Sequence, residues 1–279
     1  MTPERANLVY DDGAHQVWHA HSLDPEHVKV ILGGRKYNAL IFDAPYSEKT
    51  HSGHDEGKLT ADRAASFGAS ADTREARYSA RKAAAGESGR RELNYEPFTP
   101  LHCAMTVDLW QPACLGWCVS ITDHVLGPAW TEAFESKNLY AFAPLPLVET
   151  GSRVRMSGDG PSGWTCWVIP ARPRSNEFAH WGTLPGAYVQ PGERKINSRG
   201  GSSRVVGGKP LKSMCAIVRD YSKKGDLIID PFCGGGTTLQ AAKQCGRRSI
   251  GIDSNLEHCQ LAAAALREER ERMVMPWAE

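Results

Sequence analysis

Between Asp226 and Arg270 the chain spells a β-loop-α-β-α unit, a pattern that few folds accept. Asp226–Asp230 (DLIID) reads as a buried strand, Gly234-Gly-Gly236 as a tight turn and Thr237–Gln244 as a helix stopped by Gly246. Ser249–Asp253 (SIGID) is the next strand, and Leu256–Arg270 is an alanine-rich amphipathic helix. Strands alternating with helices build a mostly parallel sheet covered on both faces, so the unit predicts a doubly wound α/β sheet.

The earlier residues extend that reading. Gln16–His19 is a short strand. Asp24 and Pro25 are the N-cap and first turn of a helix running to about Leu32. Asn38–Phe42 is an apolar run ending at Asp43, the pattern of a buried parallel strand entering a loop. Thr99–Leu115 predicts a helix, Trp117–Thr122 a second buried strand, Pro128–Lys137 a helix and Tyr140–Val148 a third strand interrupted by two prolines. Residues 55–97 break the rhythm: large apolar side chains are scarce, and eight basic residues balance eight acidic ones. That stretch reads as a flexible insertion.

Charge is uneven. The whole chain carries a net +1, yet residues 151–212 hold ten basic and three acidic residues, a local +7 that leaves −6 for the rest. Trp164, Trp167, Phe178, Trp181 and Tyr188 are interleaved with these charges. Composition alone leaves two readings open: a nucleic-acid surface, or a solvated loop region with a small aromatic core. Eight cysteines form no CxxC pair, so they read as reduced thiols, mostly small core residues. No apolar run reaches membrane-spanning length, and the first ten residues do not resemble a signal peptide. The spacing of His51 and His54 is too loose, without further ligands nearby, to predict a metal site.

The glycine loop carries the strongest functional signal. Asp230-Pro-Phe-Cys-Gly-Gly-Gly-Thr-Thr238 follows a strand and opens a helix, whose first N–H groups are free for a ligand. Asp253 ends the next strand, where an acid can accept both hydroxyls of a ribose. Strand, glycine loop, helix, strand and terminal acid in this order predict a nucleoside ligand. The loop has neither the GxxxxGK[ST] of a phosphate cradle nor the GxGxxG of nicotinamide enzymes.

DPFCGGGTT resembles motif I (DPFxGxGTT) of the S-adenosylmethionine-dependent amino-methyltransferases, and Lys209-Pro210 resembles the KP element that leads into it. Asp43-Ala-Pro-Tyr46 resembles their motif IV, [D/N/S]-P-P-[Y/F/W], with Ala44 where the family usually has Pro. Motif IV precedes motif I with the basic segment between them. That order is similar to the β group of DNA amino-methyltransferases, a circular permutation of the usual methyltransferase sheet.

The resemblance implies a Rossmann-like methyltransferase fold in three parts. Residues 1–150 would be the catalytic part with the DAPY motif, 151–204 an inserted target-recognition lobe, and 205–279 the cofactor-binding part of the same catalytic domain. It implies S-adenosylmethionine as cofactor. Asp230 would face its amino group, Asp253 its ribose, and Phe232, Gly234 and Gly236 would line it, with Lys209, Pro210, Thr237 and Thr238 completing the set. At the other motif, Asp43, Ala44, Pro45 and Tyr46 would be catalytic. The Asp43 carboxylate and the Ala44 carbonyl would grip the two N–H bonds of a base amine, and Tyr46 would stack on the base. Arg172, Arg174, Arg199 and Arg204 are the expected DNA contacts. The element before motif IV, Gly-Asp in many relatives, is His19-Ala-His-Ser22 here.

The implied function is methylation of adenine N6 in a base flipped out of double-stranded DNA. The chain would be of the bacterial or phage type known from restriction–modification, cytoplasmic and with a possible homodimer. The alternatives are cytosine-N4 methylation, where Ser is common at the position of Asp43, RNA methylation, and a catalytically silent nucleic-acid-binding homologue.

Overall fold

The computed structural model describes residues 4–50, 96–150, 165–191 and 208–274. Among them, one ten-stranded sheet organises the chain. In chain order its elements are β1 (Asn7–Asp11), β2 (His15–His19), α1 (Pro25–Leu32), β3 (Ala39–Asp43), α2 (Pro100–Trp110), β4 (Cys118–Thr122), α3 (Gly127–Ser136), β5 (Leu139–Ala141) and β6 (Leu145–Thr150). There follow β7 (Thr165–Pro173), a short α4 (Asn176–Ala179), β8 (Tyr188–Pro191), α5 (Leu211–Tyr221), β9 (Leu227–Asp230), α6 (Thr237–Gln244), β10 (Arg248–Asp253) and α7 (Leu256–Val274).

The sheet order is β1-β2-β10-β9-β3-β4-β7-β6-β8, with β5 alongside β7. The five central strands β2, β10, β9, β3 and β4 are all parallel. β3 shows why they are buried on both faces. Leu40 and Phe42 pack with α1, α2 and α3, whereas Ala39 and Ile41 pack with α5 and α6. Period-two alternation of wholly apolar residues leaves neither face for water. α7 packs against β2 and α6 through Cys259, Ala262, Ala263 and Leu266.

From β3 the chain passes outward to β4, and from β9 it passes the opposite way to β10. The order therefore reverses between β3 and β9, and a crevice opens beyond their carboxyl ends. Asp43 ends one of these strands and Asp230 ends the other.

The helix start at Asp24 stands as its sequence predicts: the Asp24 side chain accepts from the amides of Glu26 and His27. Other expectations need correction. Residues 165–191 are not a lobe hanging from the sheet. β7 pairs antiparallel with β4 along five residues, and β8 extends the sheet through β6. Pro170 is tolerated inside β7 because it falls between the stretch facing β6, which reaches Val168, and the stretch facing β5, which starts at Ala171. The single strand expected over Tyr140–Val148 is two strands, broken around Pro144. α5 was not anticipated, nor was β1. Most of the expected insertion, 55–95, lies outside the described residues, as do 151–164 and 192–207 of the basic segment. All eight cysteines are free, six of them buried. Among the described residues, no helix is long and apolar enough to cross a membrane.

Candidate active site

The crevice at the strand reversal is a cavity of about 760 Å³. Motif IV lines one side with Asp43, Ala44, Pro45 and Tyr46; the glycine loop lines the other from Asp230 through Gly235 and again at Thr237 and Thr238. Asp253 and His258 close one end, and His19, His21 and Ser22 stand beside them. The two motifs lie far apart in sequence but on hydrogen-bonded neighbouring strands.

Asp253 organises the glycine loop. Its Oδ2 accepts the Gly234 amide at 3.0 Å, and its Oδ1 accepts the Asn255 amide at 2.8 Å. His258 Nδ1 stands 3.3 Å from Oδ1, and this hydrogen bond holds the imidazole above its ordinary pKa. Asp230 is buried, with Oδ1 accepting the Phe232 amide at 2.9 Å. Burial pushes its carboxyl up to about 7, against the pull of the Thr238 hydroxyl and the Phe232 amide; the charges of Asp43 and Asp253 push the same way as burial. Phe232 packs edge-on against Phe42 and Phe98, with centroids 5.9 and 5.2 Å away, which fixes the loop to the sheet below it.

Gly236 departs from the expected role. It alone among the loop residues does not line the cleft. A Cβ there would lie 2.8 Å from Ala262 Cβ, so this glycine lets α6 approach α7. Pro210 likewise does not line the cleft; it stands as the N-cap of α5. Lys209 does line it, yet its ammonium donates to Asp43 Oδ2 at 2.7 Å.

Asp43 is held from two directions. The Tyr46 hydroxyl donates to Oδ1 at 3.1 Å and also lies 3.2 Å from Cys166 Sγ on β7. Burial raises the Asp43 carboxyl, and the Lys209 ammonium pulls it back. Burial works against the Lys209 charge, but Asp43, with Cys166 and Glu149, outweighs it and holds the ammonium above its usual range. Ala44 is buried in the core cluster.

Sequence reasoning missed Asp123. It follows β4, as Asp43 ends β3, and its Oδ2 accepts the Ser47 amide (2.9 Å), the Ser47 hydroxyl (2.5 Å) and the Thr50 hydroxyl (2.6 Å). Its Oδ1 accepts the amides of Val125 and Leu126, both at 3.0 Å. Asp123 thus ties the chain leaving motif IV to the adjacent strand. An acid just past a buried apolar strand was the available signal. Ser22 ties the other flank, donating its hydroxyl to the Pro231 carbonyl.

Arg172 and Arg174 do not converge on this cleft. β7 is antiparallel to β4, so Trp167 lies opposite Thr122 near the cleft, and Ala171 lies opposite Cys118 at the far end. Arg172 and Arg174 lie at or beyond that far end, with both guanidinium groups 5.4 Å over the Tyr140 ring. Arg199, Arg204, His51, His54 and Trp164 lie outside the described residues. Trp167 is partly buried against the core. Among the described residues, no group of three or more His, Cys, Asp or Glu could hold a metal ion.

The fold is a Rossmann-like, doubly wound α/β sheet in which two sequence motifs face one crevice. Residues 165–264 match the family model described as DNA methylase. Over 63 residues the chain is 44% identical to the type II methyltransferase M2.DpnII of Streptococcus pneumoniae, a match covering 23% of this chain and 24% of that protein. The chain therefore spans about a quarter of the length of that curated relative. The solved complex of M1.HpyAVI with SAM superposes with a TM-score of 0.58 at 17% identity, covering 90% of this chain and 98% of the other. PvuII DNA methyltransferase, described as cytosine-N4-specific, gives 0.53 at 10% identity, covering 98% and 95%. The two structural likenesses speak to the fold. The family match covers residues 165–264, and over part of its length the chain is similar to type II methyltransferases.

Proposed function

We propose that this chain is an S-adenosylmethionine-dependent methyltransferase that modifies the exocyclic N6 of adenine in double-stranded DNA. The observation that carries the proposal is the meeting of Asp43 and the glycine loop at one crevice, from adjacent strands of opposite connection. The residues present fit the cofactor. The cavity is of ligand size. At one end the Asp253 carboxylate is available to ribose hydroxyls, and inside it the buried Asp230 carboxyl is a partner for a cationic amine. The relative of the solved complex binds SAM, which agrees with this assignment.

When bound, the cofactor supplies a methyl group on a sulfonium and leaves as a neutral thioether. The protein's work is to make an aromatic amine nucleophilic. The amine lone pair is delocalised into the base until its N–H bonds are gripped by acceptors. Asp43 supplies one acceptor, and the Ala44 carbonyl supplies the second by resemblance. As the new N–C bond forms, nitrogen becomes acidic, and its proton passes to Asp43 and on to solvent. Asp43 therefore need not be a strong base beforehand. Tyr46 offers a ring face for the base, which must leave the helix to reach this depth. An acid rather than Ser at residue 43 favours adenine over cytosine.

The test incubates the full chain with methyl-labelled cofactor and mixed-sequence duplex DNA, then identifies the labelled nucleoside. N6-methyl-2′-deoxyadenosine is the expected product; label in deoxycytidine overturns the adenine assignment. Asp43→Ala should lose transfer and keep affinity for S-adenosylhomocysteine in calorimetry. Near-normal turnover in that variant removes Asp43 from the mechanism.

A further inference from the structure

Lys209 comes to the cleft from the segment just before α5, far in sequence from motif IV. Its side chain is 6% exposed and that of Asp43 is 23% exposed, so the ion pair is nearly shielded from water. The ammonium also lies 5.0 Å over the Tyr46 ring, on the residue whose hydroxyl holds the other Asp43 oxygen. One cation thus touches two of the four motif IV side chains.

We propose that Lys209 is a positioning residue for methyl transfer: it fixes the Asp43 carboxylate and keeps it anionic, so that Asp43 accepts a hydrogen bond from the target amine. The proposal rests on the methyltransferase reading of the cleft and assigns Lys209 to the base side of it.

An ionised carboxylate only accepts hydrogen bonds, whereas a protonated one places an O–H donor against the N–H donor of the amine. Which form is present depends on the groups facing Asp43. Asp230, from β9, adds a nearby negative charge when ionised. Burial acts in the same direction, toward the neutral acid. Tyr46 favours the anion, and Lys209 does so more strongly, by charge as well as by hydrogen bond. Cys166 and Glu149 act on Lys209 itself and keep it cationic. Lys209 is therefore unsuited to be the base that takes the proton. Geometry narrows its role further. Both Asp43 oxygens are already held, so the carboxylate cannot swing, while each retains a lone pair for the amine.

The test compares wild type, Lys209→Met and Lys209→Arg, measuring the rate of methyl transfer against pH with saturating cofactor on duplex DNA. Loss of the ammonium should move the acid limb of the profile upward by at least about one unit, a tenfold lower rate at a fixed pH below the limb. Lys209→Arg should restore the limb, and S-adenosylhomocysteine affinity should stay within about threefold of wild type. An unmoved limb overturns the proposal. So does a loss of S-adenosylhomocysteine affinity matching the loss of rate, because Lys209 is then a cofactor contact. An infrared difference spectrum against Asp43→Ala reads the carboxyl directly, without turnover: Asp43 should be protonated in Lys209→Met at a pH where wild type is ionised. That readout separates failure of this proposal from failure of the methyltransferase reading, which wild type that labels no nucleic acid would reveal. If Lys209→Met does not fold, Lys209→Met/Asp43→Asn should, since the unpaired buried charge is gone; a double variant that stays unfolded also overturns the proposal.

Discussion

Replacing Gly236 with alanine separates two reasons for having glycine in this loop. Gly236 has φ +83°, a left-handed conformation that costs an L-residue about 1–2 kcal/mol. The added Cβ would also lie 2.8 Å from Ala262 Cβ and 2.9 Å from Ala262 Cα. Those atoms belong to the α7 backbone and its first side-chain carbon, so no rotamer change relieves the clash. Either α6 or α7 must shift, at an overpacking cost of about 1–3 kcal/mol. The sum is about 2–5 kcal/mol, a large part of a typical stability of about 5–15 kcal/mol. At roughly 2–4 °C per kcal/mol, the unfolding midpoint should fall by roughly 4–20 °C. Gly234→Ala is the control, because Gly234 also has positive φ (+49°) but open space where a Cβ would go. It should cost only the conformational part, about 1–2 kcal/mol. Thermal and urea unfolding of both variants without ligand decide the matter. Equal midpoints for the two would refute the packing argument. A Gly236→Ala protein of full stability with lost S-adenosylhomocysteine affinity would return this glycine to the ligand.

Asp253→Ala should weaken S-adenosylhomocysteine binding by about 1–3 kcal/mol, through the lost ribose acceptor and the freed Gly234 amide; calorimetry showing wild-type affinity would exclude Asp253 from the cofactor site. Asp230, held up at about 7, is neutral below that pH and anionic above it. Affinity for a cationic amine should therefore climb as pH rises through 7 and then level off, with Asp230→Asn flattening the profile; a flat wild-type profile contradicts the assignment. Without ligand the same group works against the fold. Its unfolded carboxyl ionises near pH 4, so stability attributable to Asp230 declines between roughly pH 4 and 7. Asp123→Ala should cost about 2–4 kcal/mol by stranding the donors of Ser47, Thr50, Val125 and Leu126. Burial pushes the Asp123 carboxyl up, but those hydrogen bonds outweigh it and hold it low. Its stabilisation is accordingly present above about pH 4 and lost as pH falls through the lower folded value; an unfolding midpoint unchanged by the substitution would refute the tether.

What could be read from the sequence was what local chemistry fixes. Asp24 with Pro25 announced α1 because a carboxylate beside two free amides has one favourable place to be. The apolar runs ending at Asp43 and Asp230 announced two buried strands and the acid at the crevice end of each. Long-range facts were out of reach. Nothing in the spelling of Lys209-Pro210 says that the lysine meets Asp43, because that contact depends on β3 lying next to β9. Gly236 and Gly234 look alike in sequence, and only the course of α7 tells them apart. The prolines and glycines of 151–212 left a loop reading open, yet Pro170 lies within β7, paired with Val119 on one side and at the break between β6 and β5 on the other. α5 is hidden because Lys209-Pro210 reads as the lead into the glycine loop, whereas Pro210 is also the start of a helix. Met214, Cys215, Ile217, Val218 and Tyr221 of α5 are all buried.

β2 and β3 follow one another in the chain, joined by a single helix, yet they are not neighbours: β10 and β9 lie between them. A ribosome releases β2 and β3 long before the two strands that fill the gap. Until then each presents an open parallel edge across a slot about 14 Å wide, three strand spacings. Open edges of this kind pair readily with other chains. Residues 227–253 fill that slot, so the sheet is completed by closing a very long loop. Asp43 is therefore synthesised early but acquires its floor, its counter-ion and its ligand loop late. The cleft beside Asp43 is not assembled until β9 and β10 have been drawn into the middle of the sheet.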